Sequence, residues 1–227
     1  MANIGHGKKY ERAKSKLLHS AAKMFLKQGF SVTKITDITK EAGVDNNAVA
    51  RVFGEKENLL AELVGLVLDY QFQAAEKLVS GKVEDKIYLY AVETVLQLYI
   101  TESSEHIREL YSLSYSYKAS SKVIYENLTE KLEGIFKKHL PDCDSKDFYE
   151  LELAAGGIMR SFLTVPCDRY FDIERKVKRF LESTLLVFEV PKEKIKEIVA
   201  FIEKFDFLKI AKETIANMLD YLESNTY

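Results

Sequence analysis

The sequence predicts an all-α protein, with a small N-terminal three-helix domain followed by a larger helical domain. Three observations carry that reading. Only 10 Gly and 3 Pro interrupt 227 residues, while Leu, Lys, Glu, Ile and Ala are abundant, so helix breakers are scarce. Apolar residues recur at i, i+3, i+4 and i+7 over most of the chain instead of alternating. Charge is shared unevenly: residues 1–56 hold 11 Lys and Arg against 5 Asp and Glu, and the remainder holds 22 against 30. The net charge of −2 therefore conceals a basic module on an acidic body.

In order along the chain, Leu18, Ala21, Ala22 and Phe25 share one face of a first helix that runs from about Tyr10 and ends at Gly29. Ser31 and Thr33 offer N-cap oxygens to a short second helix that gathers Ile35, Ile38 and Ala42, and Gly43 stops it. A third helix spans about Asn46 to Phe53, with Val49, Val52 and Phe53 inward, until Gly54. KENLLAELVGLVLDYQFQAAEKLV then opens the larger part with an apolar stripe.

Further helices are expected at about 84–101, 104–117, 120–140, 145–164, 173–189 and 192–223. The breaks between them fall at Ser80-Gly81, Ser103-Ser104, Ala119-Ser120, Pro141, Val165-Pro166 and Val190-Pro191. YSLSYSY, residues 111–117, alternates as a strand would, but a lone strand has nothing to pair with, so it is read as helix. The domains are expected at 1–54 and 55–227.

Two short helices joined at a single Gly describe a helix-turn-helix. With Gly43 as the turn, the helices can pack only if certain flanking positions are apolar. Those positions are Ile38, Ala42, Val44, Val49 and Val52, and all five comply. Gly43 itself supplies the positive φ of a tight turn.

LLHSAAKMFLKQGF, VTKITDITKEAGV and VFGEKENLL, within about residues 14–61, resemble the N-terminal DNA-binding domain of the TetR family of bacterial transcriptional regulators. The resemblance implies an all-helical homodimer that holds double-stranded operator DNA and whose C-terminal domain binds a small effector. Its third helix would enter the major groove N-terminus first. Asp45 can then serve as N-cap while Asn46 and Asn47, with Ala48 beside them, face the bases; an Asn side chain can bond an adenine edge in two places. By resemblance Thr33 and Lys56 stand at phosphate-contacting positions, with Arg51 a further candidate. Lys8, Lys9, Arg12 and Lys14 form either an N-terminal arm or a solvated tail. The chain departs from the family at Ala50, where a Tyr is common, at Arg51, near which a second aromatic is common, and at Thr39, where an Ala is common.

The larger domain carries no motif of comparable specificity. The His residues at 6, 19, 106 and 139 make no HExxH, no Ser, His and Asp arrangement announces a nucleophile, and AAGG at 154–157 lacks the Lys of a phosphate loop. No enzyme, metal or cofactor is expected. Cys143 and Cys167 are read as reduced thiols, and with neither an apolar signal core nor a membrane-length run a cytoplasmic protein without membrane contact is expected.

A mostly apolar cavity with a few hydroxyls suits a small apolar or amphipathic effector, and Tyr99, Tyr111, Tyr115, Met159 and Phe162 are its candidates. By family analogy the helices at 145–164 and 173–189 form the dimer interface. The stripe Ile195, Ile198, Ile202 and Phe205 of the last helix must pack on its own subunit or the partner. The expected function is a ligand-responsive repressor. Its alternatives are an activator or dual regulator, and a helical ligand-binding protein with a degenerate recognition helix.

Overall fold

The computed structural model describes the backbone of residues 3–224 and the side chains of residues 7–224. These residues form α1 (Asn3–Gln28), α2 (Ile35–Glu41), α3 (Ala48–Val52), α4 (Lys56–Val79), α5 (Ile87–Glu102), α6 (Glu105–Ser114), α7 (Lys118–Phe136), α8 (Ser145–Thr164), α9 (Ile173–Val187), α10 (Lys192–Ile202) and α11 (Phe207–Ser224). Among the described residues there is no strand, and no helix is long and apolar enough to cross a membrane.

Two apolar cores organise the chain. The smaller gathers Leu17, Leu18, Phe25 and Phe30 with Ile38 of α2 and Val49 of α3. It is closed by Leu59, Leu60 and Leu63 from the first turns of α4 and by Leu222 from the end of α11. The turn at Gly54 therefore marks a change of direction, while the packing unit continues two turns into α4. All five positions required by the helix-turn-helix are in place: Ile38, Ala42 and Val49 are buried, and Val44 and Val52 pack against them. Gly43 has φ +63°.

The larger core is built around α5, which is apolar on nearly all sides and is buried over most of its length, as a central helix must be. Phe136 of α7 stacks on Phe188 with centroids 4.2 Å apart, and Tyr90 of α5 meets both rings edge-on at 5.4 and 5.3 Å. Buried ring pairs of this kind fix how α5, α7 and α9 meet.

Two expectations need correction. The single helix at 192–223 is two, because Asp206 caps a new helix by accepting the Lys209 amide at 3.0 Å. Its apolar stripe packs on its own chain: Ile195, Ile198 and Ile202 enter the larger core, and Leu219 and Leu222 of α11 reach the smaller. The break expected at Ala119-Ser120 lies instead at Tyr115–Tyr117, since the buried Ser120 hydroxyl donates to the Ser114 carbonyl at 2.7 Å and stitches α7 to the end of α6. YSLSYSY is thus helical only through Ser114. Finally, Lys8, Lys9 and Arg12, open as arm or solvated tail, lie on exposed turns of α1, and the half-buried Lys14 pairs with Glu62 of α4 at 2.5 Å.

One buried ionic cluster anchors the start of α6. The Lys176 ammonium, with no exposed surface, donates to Glu102 at 2.6 Å and to the Val165 carbonyl. The other Glu102 oxygen accepts from Arg108 of α6 at 3.0 Å and from the Cys167 amide at 3.1 Å. Ser104 caps α6 by accepting the Ile107 amide at 3.2 Å. Burial alone would raise the Glu102 carboxyl, but the hydrogen bonds from Lys176 and the Cys167 amide hold it below the ordinary glutamate range.

Glu102→Ala should therefore destabilise the protein by about 3–5 kcal/mol in chemical denaturation, because it strands the Lys176 charge, and Lys176→Met added to it should recover much of the loss. A lowered native pKa means that unfolding takes up a proton in acid. This cluster's contribution is consequently complete above the ordinary glutamate value of 4.5 and is lost as pH falls through the native one. The acid limb of a stability profile should flatten in Glu102→Ala.

Candidate DNA-reading face and effector cavity

Asn46, Asn47, Ala50 and Arg51 are exposed on one side of the turn into α3. Asp45 closes that turn, its carboxylate accepting the Asn47 amide at 3.1 Å and its carbonyl the Ala48 amide at 2.9 Å. Asp45 also takes both terminal nitrogens of Arg51, one at 2.7 Å, and this hydrogen bonding holds its carboxyl below the usual aspartate range. The acidic side chain at the head of α3 is thus neutralised by the cation expected to reach phosphate. Asn46 is steadied from behind, where the buried Thr39 hydroxyl lies 3.3 Å from its side-chain oxygen.

Three expected DNA contacts stand differently. Ala48 is 1 % exposed and belongs to the small core, so its methyl faces inward. Thr33 is buried too: its hydroxyl donates to the Gly29 carbonyl at 2.6 Å and accepts from Gln28 at 3.2 Å, closing the α1–α2 loop. The exposed cation beside it is Lys34. Lys56 turns its ammonium onto the Phe30 carbonyl and over the Phe30 ring, 4.0 Å from the centroid, and burial lowers its pKa. One residue was missed: Tyr10 of α1 brings its hydroxyl to 3.3 Å from the Val52 carbonyl, a phenol at the end of the helix whose Ala50 lacks one.

In the larger domain, two adjoining cavities of about 40 and 20 Å³ share Gln97 and Tyr115 as walls. The outer one lies between α4 and α6, with Leu60, Val64, Leu110 and Tyr111. The inner lies among α5, α7 and α8, with Phe72, Tyr90, Glu93, Glu152 and Met159. Tyr111, Tyr115 and Met159 are therefore brought together as expected, but two candidates are elsewhere. Tyr99 stacks on Phe207 at 5.6 Å, and Phe162 lies edge-on to Phe180 at 5.6 Å. Both rings are taken up by local packing, and neither lines either cavity.

What sequence reasoning missed is polar. Glu93 and Glu152 are 2 % and 3 % exposed, and each has an oxygen without a hydrogen-bond partner. Burial raises both carboxyls, Glu93 to about 8 against the pull of Lys131, and Glu152 with the added repulsion of Glu93. The signal was present in IYLYAVETVLQLYI, where Glu93, Thr94 and Gln97 interrupt a helix otherwise apolar all round. A larger depression, of about 550 Å³, opens on the surface between α9 and α10. Its charged rim is Lys178, Arg179, Glu182, Lys192 and Lys196, with Arg179 paired to Glu182 at 3.1 Å and Lys196 to Glu193 at 2.9 Å.

The two regions are joined through α6. Glu109 accepts the Phe30 amide at 3.0 Å and the Ser31 amide at 3.2 Å, reaching from the larger domain to the α1–α2 loop. Gly29, at φ +89°, permits the approach, since a Cβ there would lie 2.6 Å from the carboxylate. Tyr117 packs on Phe30 at 5.7 Å, and Leu110 and Leu113 rest on the small core. The same helix sends Leu110, Tyr111 and Ser114 into the outer cavity, and Tyr115 at its end closes both.

A raised carboxyl pKa gives the opposite pH sign from Glu102. The folded state holds a proton that the unfolded state has lost, so stability falls as pH rises from about 4.5 to about 8. Replacing Glu93 with Gln should remove its share of that decline between pH 5 and 8 in denaturant titrations and leave the share due to Glu152; a slope equal to the parent's would contradict the assignment.

Residues 17–63 match the family described as bacterial regulatory proteins, tetR family. No curated protein matches the chain. Among solved structures, the crystal structure of RolR in complex with the ligand resorcinol superposes with a TM-score of 0.69 at 15 % identity, over 85 % of this chain and 95 % of that one. That likeness concerns the fold, while the family match covers the helix-turn-helix and the start of α4. Such proteins are DNA-binding regulators and not enzymes. Residues 17–63 are thus a DNA-binding domain of the tetR family type, and the helices behind them share the fold of RolR.

Proposed function

We propose that the protein is a repressor that holds palindromic operator DNA as a homodimer and is released when a small effector enters the cavities beside α6. The observation that carries this reading is the double duty of α6, which lines the ligand site with Tyr111 and holds the DNA domain with Glu109. Cavities of about 40 and 20 Å³ are far smaller than the roughly 150 Å³ that accommodates one benzene ring. An occupant must displace a wall. The wall with an irregular end is α6, which gives way to a turn at Tyr115–Tyr117. A ligand as small as the resorcinol of RolR would already require that movement.

The dimer would form on α8 and α9, as the family analogy expects. α8 exposes Tyr149 and Leu153 at 41 % and 43 %, with the exposed small residues Ala154 and Gly157 alongside, and α9 adds Leu186 at 47 %. Small residues among large apolar ones let two helix pairs approach closely. Two α3 helices set about 34–36 Å apart would then reach successive major grooves. Asn46 and Asn47 would read bases. Arg51 would exchange Asp45 for phosphate, and Lys34 would add a backbone contact. Thr33 and Lys56 would act indirectly, by shaping the loop that Glu109 grips. Function on DNA places the protein in the cytoplasm.

Binding to DNA upstream of its own gene should be at least about 10³-fold tighter than to random DNA and should fall steeply with salt. Equal affinity for both would leave a helical ligand-binding protein with a degenerate recognition helix. Asn47→Ala should relax preference at one or two operator positions by about 1–3 kcal/mol each, whereas Lys34→Ala should weaken all sequences alike.

Glu109→Ala tests the coupling. An effector found by thermal shift should change operator affinity about 5- to 150-fold in the parent. The variant should bind that effector at least as tightly as the parent while the response shrinks to about 3-fold or less. A full response in the variant would rule out this route.

A further inference from the structure

We infer that the effector is an organic cation, a protonated amine on a small apolar body, whose ammonium is received by Glu93 and Glu152 across the inner cavity. This rests on the reading of that cavity as the effector site and adds the ligand's chemical class.

The buried polar atoms left without partners there point one way. Oε1 of Glu93, Oε1 of Glu152 and Oε1 of Gln71, which sits behind Tyr111, are all acceptors. With the two carboxyls ionised, what the site lacks is therefore a donor. A buried Lys or Arg would be the ordinary partner for two such carboxyls, but none reaches them. The neighbouring Lys131 of α7 is held by Asp69 of α4 at 3.1 Å and lies over the Phe72 ring at 4.7 Å.

Space has been left in front of Glu152. A Cβ on Gly156 would stand 3.0 Å from its Oε1 and 3.1 Å from the Tyr125 ring, so the glycine keeps side-chain bulk away from that buried oxygen. Phe72, Tyr90 and Tyr115 supply the remaining walls, and aromatic faces attract a cation where water is excluded.

Charge favours a cation over a neutral donor. Two adjacent buried carboxyls resist ionising, and only a positive occupant offsets both their burial and their mutual repulsion. Titratable groups face the pair from three helices: Tyr90 from α5, Tyr111 and Tyr115 from α6 and its end, and Tyr125 and Lys131 from α7. The tyrosines remain neutral at physiological pH, so the carboxyls set the pH response. On binding, the ammonium keeps its proton and the carboxyls release theirs to buffer. Affinity for an amine should accordingly rise with pH, and that for a neutral ligand should not.

The test uses probes matched except for charge: benzylamine against benzyl alcohol and phenethylamine against phenethyl alcohol, with resorcinol as a neutral donor. Titration calorimetry at pH 6 and 8, in buffers of different ionisation enthalpy, reads affinity and proton release together. The amines should bind at least tenfold tighter than their alcohols, more tightly at pH 8, with protons released. Glu152→Gln and Glu93→Gln, checked for native circular dichroism, should each reduce that preference about tenfold.

No amine binding, equal binding of amines and alcohols, or resorcinol binding best and surviving both substitutions would overturn the cationic assignment. Resorcinol that bound and released operator DNA would still support the repressor reading. An amine that bound as expected without changing operator affinity would keep the cation site and refute the effector reading. Should either variant misfold, the amine and alcohol pairs on the native protein decide alone.

Discussion

Two backbone amides, those of Phe30 and Ser31, are satisfied by a carboxylate 78 to 79 residues away in the chain. That contact sets the geometry of the whole molecule, because Glu109 reaches them from a helix that also walls the ligand cavity. The α1–α2 loop is fixed from three directions: by Glu109, by the Lys56 ammonium on the Phe30 carbonyl, and by Thr33 on the Gly29 carbonyl. A loop with so many of its polar groups held cannot shift without exchanging partners, and partner exchange is the discrete change a switch needs. The other end of α6 is tied down by Arg108 on Glu102, whose second oxygen holds Lys176. On the proposed reading, ligand entry would move α6 at its Tyr115–Tyr117 end.

The two buried ionic sites contrast in a way that assigns them different work. Glu102 has cationic and amide donors on both oxygens and stays ionised. Glu93 and Glu152 are more deeply buried, have no cationic partner, and keep their protons. A satisfied network rigidifies, whereas an unsatisfied one is destabilised until something supplies its missing partner. The first suits an anchor and the second a receptor.

Much of this was legible in the sequence. Ile38, Ala42, Val44, Val49 and Val52 around Gly43 defined the helix-turn-helix because local spacing alone decides whether two short helices can cross. Helix breaks marked by Pro or by a capping Asp or Ser before a periodic run also appeared near their places, as at Ser104 and Asp144. Periodicity could not show the direction of side chains whose partners are distant. Thr33 and Lys56 turn inward because Gly29 and Phe30 offer carbonyls, and Ala48 because α1 covers it. Tyr99 and Phe162 were plausible as cavity walls until Phe207 and Phe180 claimed their faces. Asp206, which divides the last helix, was a readable cap overridden by an unbroken apolar stripe. The absence of a Tyr at Ala50 now has a neighbour to consider in Tyr10, and the acidic Asp45 an explanation in Arg51.

The central claim is that occupying the cavity loosens the hold of α6 on the α1–α2 loop. Amide hydrogen exchange at Phe30 and Ser31, with and without a bound effector and in the absence of DNA, measures that hold directly. The account predicts that effector binding accelerates exchange at these two amides while the larger core becomes more protected. Unchanged exchange at Phe30 and Ser31, with an effector that nonetheless releases the operator, would contradict it.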